Sequence, residues 1–265
     1  MKISIVTAYF NRKQLFYNTL KSIDKSSIKN LEVIVVDDCS SEEHRLEDLT
    51  EEFPFLKIIR LEKENKWYVN PCVPFNIGIK EAKGDIIVLQ NPECYHLGDV
   101  LSDIVNKITS TNYLTYGCYS LDKDRTTLMG IHNTSTTEKI KEVLAPMPPQ
   151  RIVEEGGLGW YNHSTIRPVA YHFLSAIKKE NMDKLNGFDE RYAKGIAYDD
   201  DELLVRIRRM GLNISITNNP FVLHQWHYDT NNFVTQATNT VELLNHNKNL
   251  LNVTRNEQTI RVNGL

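Results

Sequence analysis

Apolar runs and amphipathic stretches alternate through the first half of the chain. The apolar runs are rich in β-branched residues and predict strands at 2–8, 31–37, 57–61, 85–90 and 113–119. The stretches with helical spacing predict helices at 11–25, 42–53, 71–82 and 97–109. This alternation is typical of an α/β fold with a mostly parallel central sheet that is covered by helices on both faces.

The second half has a less regular pattern. It predicts helices at 136–145 and 179–186 and strands at 171–177, 213–216 and 221–223. Leu203, Leu204 and Ile207 form one face of a further helix, which ends at Gly211. The region from about residue 233 is polar with a helical stripe, which indicates a C-terminal helix or tail.

Polar residues follow three of the predicted strands. Right-handed crossovers bring the C-terminal ends of parallel strands to one edge of the sheet, where ligands bind. The segments at that edge are 7–12, 37–40 and 91–96. An acid in such a position, as Asp37 or Asp38, can accept a hydrogen bond from a ribose hydroxyl or a base. The alternative is that both acids cap the next helix.

The segment after the fourth predicted strand combines Asn91, Glu93 and His96. These side chains are spaced to project into a cleft, and a glutamate beside an imidazole can hold a divalent cation that neutralises a diphosphate. The alternative is a surface turn built on Pro92.

Two later clusters suggest proton transfer and metal binding. Four consecutive acids, Asp199–Glu202, precede an amphipathic helix. The helix dipole favours acids at this end, but four exceed what capping requires, so one of them is a candidate general base. His224 and His227 follow a strand-like FVL, and neutral imidazole is a common metal ligand. The alternative is that both histidines are structural.

Composition narrows the classes of partner. The 265 residues carry a formal net charge of -3 with no basic block, so a nucleic-acid partner is not expected. No apolar stretch reaches the length of a membrane span, which predicts a soluble, cytoplasmic protein whose contact with a membrane, if any, is peripheral. The four cysteines lack metal-type spacing and are expected to be reduced thiols.

The order of these motifs resembles the family 2 glycosyltransferases of GT-A fold. The motifs are SIVTAYFNR, VIVVDDCS, NPCVPFNIGIKEAKGDIIVLQNPE and GFDERYAKGIAYDDDELLVRIRRMG, and the resemblance covers about residues 1–228. The piece NPCVPFNIGI is also similar to the polypeptide N-acetylgalactosaminyltransferases. The resemblance implies transfer of a sugar from a nucleotide-sugar donor, typically UDP-linked, to a hydroxyl acceptor on a glycan, protein or small molecule, with inversion by single displacement.

The resemblance also implies a division of the chain. A GT-A domain spans 1–230, with a nucleotide-binding part at about 1–115 and an acceptor-binding part at about 116–230. A helical extension follows at 231–265.

Residue roles follow from the same resemblance. The expected donor-binding residues are Thr7, Ala8, Tyr9, Arg12, Asp37, Asp38, Asn76, Gln90 and Asn91. Asp38 contacts the base with support from Asp37, and the segment around Asn76 and Gly78 lines the same pocket. Asp200 is the expected catalytic base, with Asp199 as the alternative. Glu93 is the expected metal ligand, together with His224 or His227.

The metal motif departs from the family pattern. The usual Asp-x-Asp is here Asn91, Pro92 and Glu93, so one hard anionic ligand is missing. We still expect dependence on a divalent cation, Mn²⁺ or Mg²⁺, while metal-independent catalysis remains open. The substitution also motivates an alternative function, a non-catalytic module that binds a sugar nucleotide or glycan.

The Gly-rich stretch EEGGLGWYNH is a candidate acceptor loop or lid. Trp160 and Tyr161 within it can stack on the face of an acceptor sugar. The alternative is a surface loop without that role. A dinucleotide-dependent oxidoreductase is not expected, because the first strand–helix turn lacks the G-x-G-x-x-G pattern.

Overall fold

The computed structural model describes residues 1–145, 157–227 and 239–264. Its strands are β1 (Ile3–Tyr9), β2 (Leu31–Asp37), β3 (Leu56–Arg60), β4 (Ile86–Gln90), β5 (Cys94–Leu97), β6 (Asn112–Ser120), β7 (Gly159–Asn162), β8 (Leu174–Lys178) and β9 (Asn213–His224). Its α-helices are α1 (Lys13–Asp24), α2 (Cys72–Glu81), α3 (Val100–Lys107), α4 (Lys123–Ile131), α5 (Thr137–Leu144), α6 (Lys179–Leu185), α7 (Asp199–Arg209) and α8 (Thr240–Thr254). The predicted α/β fold is confirmed.

One sheet contains all of these strands in the order β3-β2-β1-β4-β8-β6-β9-β5, with β7 beside β6. The strands β3, β2, β1 and β4 are parallel, and β6 is parallel to β9. β8 runs antiparallel between β4 and β6, and β5 and β7 are also antiparallel to their neighbours. The register pairs Tyr9 with Asp37, so the C-terminal tips of β1 and β2 lie side by side.

Buried side chains alternate between the two faces of the sheet. Ile5 belongs to a core beneath α1 and α3, whereas Val6 belongs to a core beneath α2, α6 and α7. The close approach of α2 depends on Gly78, because a Cβ atom there would lie 2.4 Å from Cγ1 of Val6. Gly78 therefore sets the distance between helix and sheet and does not line a pocket as expected. A third apolar cluster joins α4 and α5 to the β5–β9 edge.

The predicted helix at 42–53 is wrong. The structure has two short 3₁₀ turns there, Glu42–His44 and Glu47–Leu49. The segment carries six acids and buries only the apolar side chains Leu46, Leu49 and Phe53. Tertiary packing supplies most helical stability, and so few buried positions do not support a continuous helix.

The predicted helix at 97–109 begins later, at Val100, because residues Cys94–Leu97 form β5. The carboxylate of Asp99 caps α3 by accepting a hydrogen bond from the backbone N–H of Ser102. The helix α4 was not predicted.

The C-terminal region contains α8, which packs against the turn at Glu190–Lys194 and against α7. The expected boundary at residue 230 lies outside the described residues. No helix in the described ranges has the length and apolarity that a membrane span requires. The four cysteines are free thiols, as expected.

Candidate active site

A cleft of roughly 350 Å³ opens where the tips of β1, β2 and β4 face the N-terminus of α7. Eight of the residues singled out from the sequence line it: Ala8, Tyr9, Arg12, Asp38, Asn91, Glu93, Asp199 and Asp200. Segments about 190 residues apart in the chain thus share one cavity. A cavity of this size suits a small organic ligand.

Glu93 lies at the centre of a cluster of basic side chains on one wall. Its carboxylate is buried, and Oε2 accepts a hydrogen bond of 2.8 Å from Nη1 of Arg12. Its other oxygen, Oε1, lies 3.1 Å from Nε2 of His224 and 3.6 Å from Nε2 of His227. Glu93 lies in the turn between β4 and β5. His224 is the last residue of β9, and His227 follows it closely.

The charge states in this cluster follow from burial and neighbours. Burial alone would raise the pKa of Glu93, but the Arg12 guanidinium and the two histidines outweigh it and hold the pKa well below its usual range. Burial also lowers the pKa of His227 to about 3. At neutral pH, Glu93 is therefore an anion and His227 a neutral imidazole, the forms in which both bind metals.

The three side chains fit a divalent cation. One carboxylate oxygen and two imidazole nitrogens lie within 4.8 Å of one another. Two ligands at about 2.1 Å from a common ion lie at most about 4.2 Å apart. The distances of 3.1 and 3.6 Å from Oε1 of Glu93 to the Nε2 atoms of His224 and His227 fall within that limit. Imidazole ligands suit transition metals better than Mg²⁺.

The four acids at the start of α7 have separate environments. Glu202 faces inward, where Arg206 donates to both of its oxygens at 2.6 and 2.7 Å. Asp201 accepts a hydrogen bond of 3.1 Å from the hydroxyl of Tyr171 and lies 3.6 Å from Arg255. These two acids have structural partners, which leaves Asp199 and Asp200 for the cleft.

The backbone just before α7 is strained, and it orients Asp199 and Asp200 toward the cleft. Ala197 and Tyr198, just before the helix, have φ values of 58° and 66°, which non-glycine residues rarely adopt. Such outliers persist only where surrounding structure enforces them and cluster at functional sites. The side chain of Asn70 donates to Asp199 at 3.0 Å, and the backbone N–H of His172 donates to Asp200 at 3.2 Å.

Asp199 holds its proton more tightly than an ordinary aspartate. Burial, followed by the negative charge of Asp200, raises its pKa to about 6. His172 faces both acids: burial would lower its pKa, but the carboxylate of Asp200 outweighs this and raises it. A carboxyl group that titrates near neutral pH is suited to proton transfer.

The two expected base-binding acids differ in position. Asp38 lines the cleft, where its oxygens accept hydrogen bonds of 2.6 Å from Nζ of Lys66 and 2.7 Å from the hydroxyl of Tyr68. Asp37 is fully buried behind it, paired with Arg60 at 2.8 Å and bonded to the backbone N–H of Ser40 at 2.9 Å. Asp37 thus supports the loop that carries Asp38.

Besides Asp37, three expected donor-binding residues lie outside the cleft. Thr7 is buried within β1. Asn76 bonds to the backbone N–H and carbonyl of Phe188, so it joins α2 to the α6–α7 connection. Gln90 donates to the carbonyl of Cys94 and contacts Nε2 of His96. His96, expected to project into a cleft, is buried in this contact.

The two aromatic residues of the expected acceptor loop also point elsewhere. Trp160 packs in the third apolar cluster, against Tyr119 at 5.0 Å and Phe221 at 5.4 Å between ring centroids. Tyr161 stacks on Phe173 and contacts the ring of His224 edge-on. The EEG at the start of the expected lid lies outside the described residues.

The structure adds cleft residues that the sequence patterns did not reveal. They include Lys66, Asn70, Tyr171 and His172. Lys66 and Asn70 belong to the irregular connection between β3 and α2, while Tyr171 and His172 precede β8. The only signal for Tyr171 and His172 was their position at the start of the predicted strand 171–177, and Lys66 and Asn70 had none.

Two solved structures in complex with nucleotide-sugars have folds similar to this one. S. aureus TarS 1–349 in complex with UDP-GlcNAc has a TM-score of 0.64 at 16% identity, over 96% of this chain and 66% of that one. A mannosyltransferase from Pyrobaculum calidifontis in complex with GDP-Man and Mn²⁺ has a TM-score of 0.54 at 16% identity, over 84% and 56% of the two chains. The fold is the GT-A fold.

Sequence comparison identifies the family. The model for glycosyl transferase family 2 matches residues 4–166, and that for the N-terminal domain of galactosyltransferase matches 173–228. The chain belongs to glycosyl transferase family 2. The likeness of NPCVPFNIGI to polypeptide N-acetylgalactosaminyltransferases stays a prediction.

Two curated relatives cover most of the chain. An uncharacterized glycosyltransferase of Haemophilus influenzae is 24% identical over 92% of this chain and 75% of its own length. The amylovoran biosynthesis glycosyltransferase AmsB of Erwinia amylovora is 25% identical over 83% of this chain and 68% of its own length. The chain spans only 37% of a longer TarS chain.

Proposed function

We propose that this glycosyltransferase transfers a hexose-type sugar from a UDP-linked donor to a hydroxyl acceptor by single displacement with inversion. The observation that carries the proposal is that Asp38, Glu93 and Asp200 line one cleft. The UDP and UDP-GlcNAc complexes of the structural neighbour TarS support the choice of nucleotide. The donor binds against residues of about 1–115 and the acceptor against those of about 116–230.

The donor lies along the tips of β1, β2 and β4. Ala8, Tyr9 and Asn91 form the wall beside it, and Asp38 accepts a hydrogen bond from the base. Arg12 directs positive charge toward the diphosphate. Glu93, His224 and His227 would hold the divalent cation, which supplies charge neutralisation for the leaving group when bound.

Asp200 acts on the acceptor from the opposite wall. Its carboxylate takes the proton of the acceptor hydroxyl while the hydroxyl oxygen bonds to the anomeric carbon. The bond from that carbon to the leaving phosphate oxygen breaks, and UDP departs. Because attack and departure occur on opposite faces of the carbon, the anomeric configuration inverts. Asp199 lies beside Asp200 and adds its negative charge to this wall when it is ionised.

A panel of nucleotide-sugars tests the donor and the metal together. A ligand that binds only the native state raises the melting temperature, so UDP-sugars should stabilise the protein and Mn²⁺ should enlarge the effect. GDP- and TDP-sugars serve as controls. Stabilisation by another nucleotide alone would contradict the choice of UDP, and donor binding without transfer to any acceptor or to water would favour the non-catalytic module.

Substitution of the base tests the mechanism. A positioned base typically contributes ~10²–10⁴-fold, so Asp200→Asn should lower turnover by about that factor while donor binding persists. Asp201→Asn is the matched control, since Asp201 occupies the same turn but bonds to Tyr171. Equal turnover of Asp200→Asn and wild type would remove Asp200 from the mechanism.

A further inference from the structure

The imidazole of His172 is fixed on three sides. It is buried, and its ring makes edge contacts with Phe75 at 4.9 Å and with Phe188 at 5.2 Å between centroids. Phe75 comes from α2 and Phe188 from the segment after α6, so two different elements hold the ring. On its third side, Nδ1 contacts Oδ1 of Asp200. Confinement of this kind leaves the ring one orientation.

His172 contacts the Asp200 side chain through both its backbone and its imidazole. The backbone N–H of His172 donates to Oδ1 at 3.2 Å, and Nδ1 contacts the same oxygen. Within the described ranges, no other residue hydrogen bonds to the Asp200 side chain, which is 29% exposed to the cleft. Oδ2 stays available to a substrate. Without the imidazole, the side chain could populate other rotamers, and ordering it would cost entropy.

The neighbouring acid has a separate tether. Asp199 accepts its hydrogen bond from Asn70 rather than from His172. Phe75 and Phe188 carry no charge, so the charged groups that face the imidazole are the two aspartates of α7. His172 therefore acts on Asp200 directly, with no competing ion pair from another element in the described structure.

We propose that His172 is a positioning residue for the transfer reaction and holds the Asp200 carboxylate with its free oxygen toward the acceptor hydroxyl. The inference rests on the proposed role of Asp200 as base. His172 lies just before β8, and no sequence motif indicated it. Catalytic groups work only when held close to the reactive geometry, and a misplacement of about 1 Å can cost 10²-fold in rate.

A double-mutant cycle tests the proposal. His172→Phe keeps the ring packing and removes the contact to Asp200, whereas His172→Asn places an amide nitrogen near the position of Nδ1. We expect His172→Phe to lower kcat by about 10–10²-fold with little change in acceptor KM or donor affinity. His172→Asn should restore most of the activity. In an Asp200→Asn background, His172→Phe should cause no further loss.

The outcomes separate this inference from the proposed function. If Asp200→Asn lowers turnover but His172→Phe does not, or if the two losses multiply, His172 does not position the base. If Asp200→Asn keeps wild-type turnover, the proposed base fails, and the positioning role fails with it. Melting temperature and donor affinity, measured for every variant, show that the variants are folded. A loss in His172→Phe that His172→Asn does not rescue would also overturn the proposal.

Discussion

Glu93 and Asp199 are both almost fully buried carboxylates on the walls of one cleft, yet their pKa values move in opposite directions. Glu93 is 2% exposed and Asp199 5%. Burial raises both pKa values, but the cation of Arg12 reverses the effect at Glu93, while the anion of Asp200 adds to it at Asp199. The difference comes from neighbours rather than from depth of burial.

The two walls are therefore suited to different chemistry. A carboxylate held ionised among cationic and imidazole groups is suited to bind a cation or to order a phosphate, and cannot accept a proton near pH 7. A carboxyl group that titrates near pH 6 is suited to exchange protons. Paired titratable groups whose environments separate their pKa values are the pattern expected of acid–base sites.

Replacing Glu93 should give the largest effect. Glu93→Gln leaves the Arg12 guanidinium and two histidines without their anion, and breaking a buried ion pair costs about 3–5 kcal/mol of unfolding free energy. Urea denaturation at neutral pH, with a chelator present, measures the loss. Because the pKa of Glu93 is lowered, its contribution is present above the ordinary value of 4.5 and should diminish as the pH falls further.

Glu47→Gln is the matched control for Glu93→Gln. Glu47 also pairs with an arginine, Arg60, but its side chain is 56% exposed. Its loss should cost about 1 kcal/mol or less. Equal losses of unfolding free energy in the two variants would show that the buried charge of Glu93 does not stabilise the fold more than an exposed one.

Replacing Asp199 should have the opposite sign. Its pKa is raised from 3.8 to about 6, so the protonated form stabilises the fold and that contribution is lost as the pH rises from about 4 through 6. Asp199→Asn mimics the protonated form and should raise the free energy of unfolding at pH 7 by about 1–3 kcal/mol. The gain should vanish near pH 4.

Asp24, an exposed acid, is the control for the predicted gain in stability of Asp199→Asn. Asp24→Asn removes a charge whose side chain is 58% exposed, and the unfolding free energy should hardly change at either pH. Denaturation at pH 4 and 7 compares the variants. If Asp199→Asn lowers the unfolding free energy at pH 7, the prediction that Asp199 and Glu93 have opposite effects on stability is wrong.

The pH dependence of transfer should follow Asp199. Burial and the charge of Asp200 raise the pKa of Asp199 to about 6, and its protonation removes a negative charge beside the proposed base, so kcat/KM for the acceptor should fall about tenfold per pH unit below that value. Asp199→Asn removes this titrating carboxyl group, so the acid limb near pH 6 should disappear. An unchanged limb would separate Asp199 from the titration that controls the rate.

The wall that carries Asp38 and Glu93 could be predicted largely from the sequence because each strand tip has its own local pattern. Apolar strands that end in polar residues define a parallel sheet edge, and that rule alone brought Asp38 and Glu93 together. The rule could not tell which residues near a strand tip face inward. Asn76 and Gln90 were expected in the cleft but satisfy buried backbone groups instead.

The wall formed by the α7 acids could be predicted only in part because the residues that contact these acids belong to no recognisable sequence pattern. The acids of α7 were found from their charge, but Asn70 and His172 meet them through tertiary packing across 129 and 28 residues. Trp160 shows the converse error. An aromatic in a Gly-rich loop was expected to meet a sugar, yet it completes an apolar cluster with Tyr119 and Phe221.

The smallest effect should come from a change that keeps the charge beside Glu93. Arg12→Lys preserves the cation that holds the pKa of Glu93 low, but the ammonium lacks the planar fork that can contact the carboxylate and a diphosphate together. We expect a cost of about 1 kcal/mol, seen as an increase of about fivefold in donor KM, with kcat and melting temperature nearly unchanged. Lys13→Arg, the reverse change at the next residue, is the control, because Lys13 pairs with the exposed Asp48. If Arg12→Lys destabilises the protein as much as Glu93→Gln does, the geometry of the Arg12–Glu93 contact, rather than its charge, stabilises this wall. Packing would then have to account for the difference between the pKa values of Glu93 and Asp199.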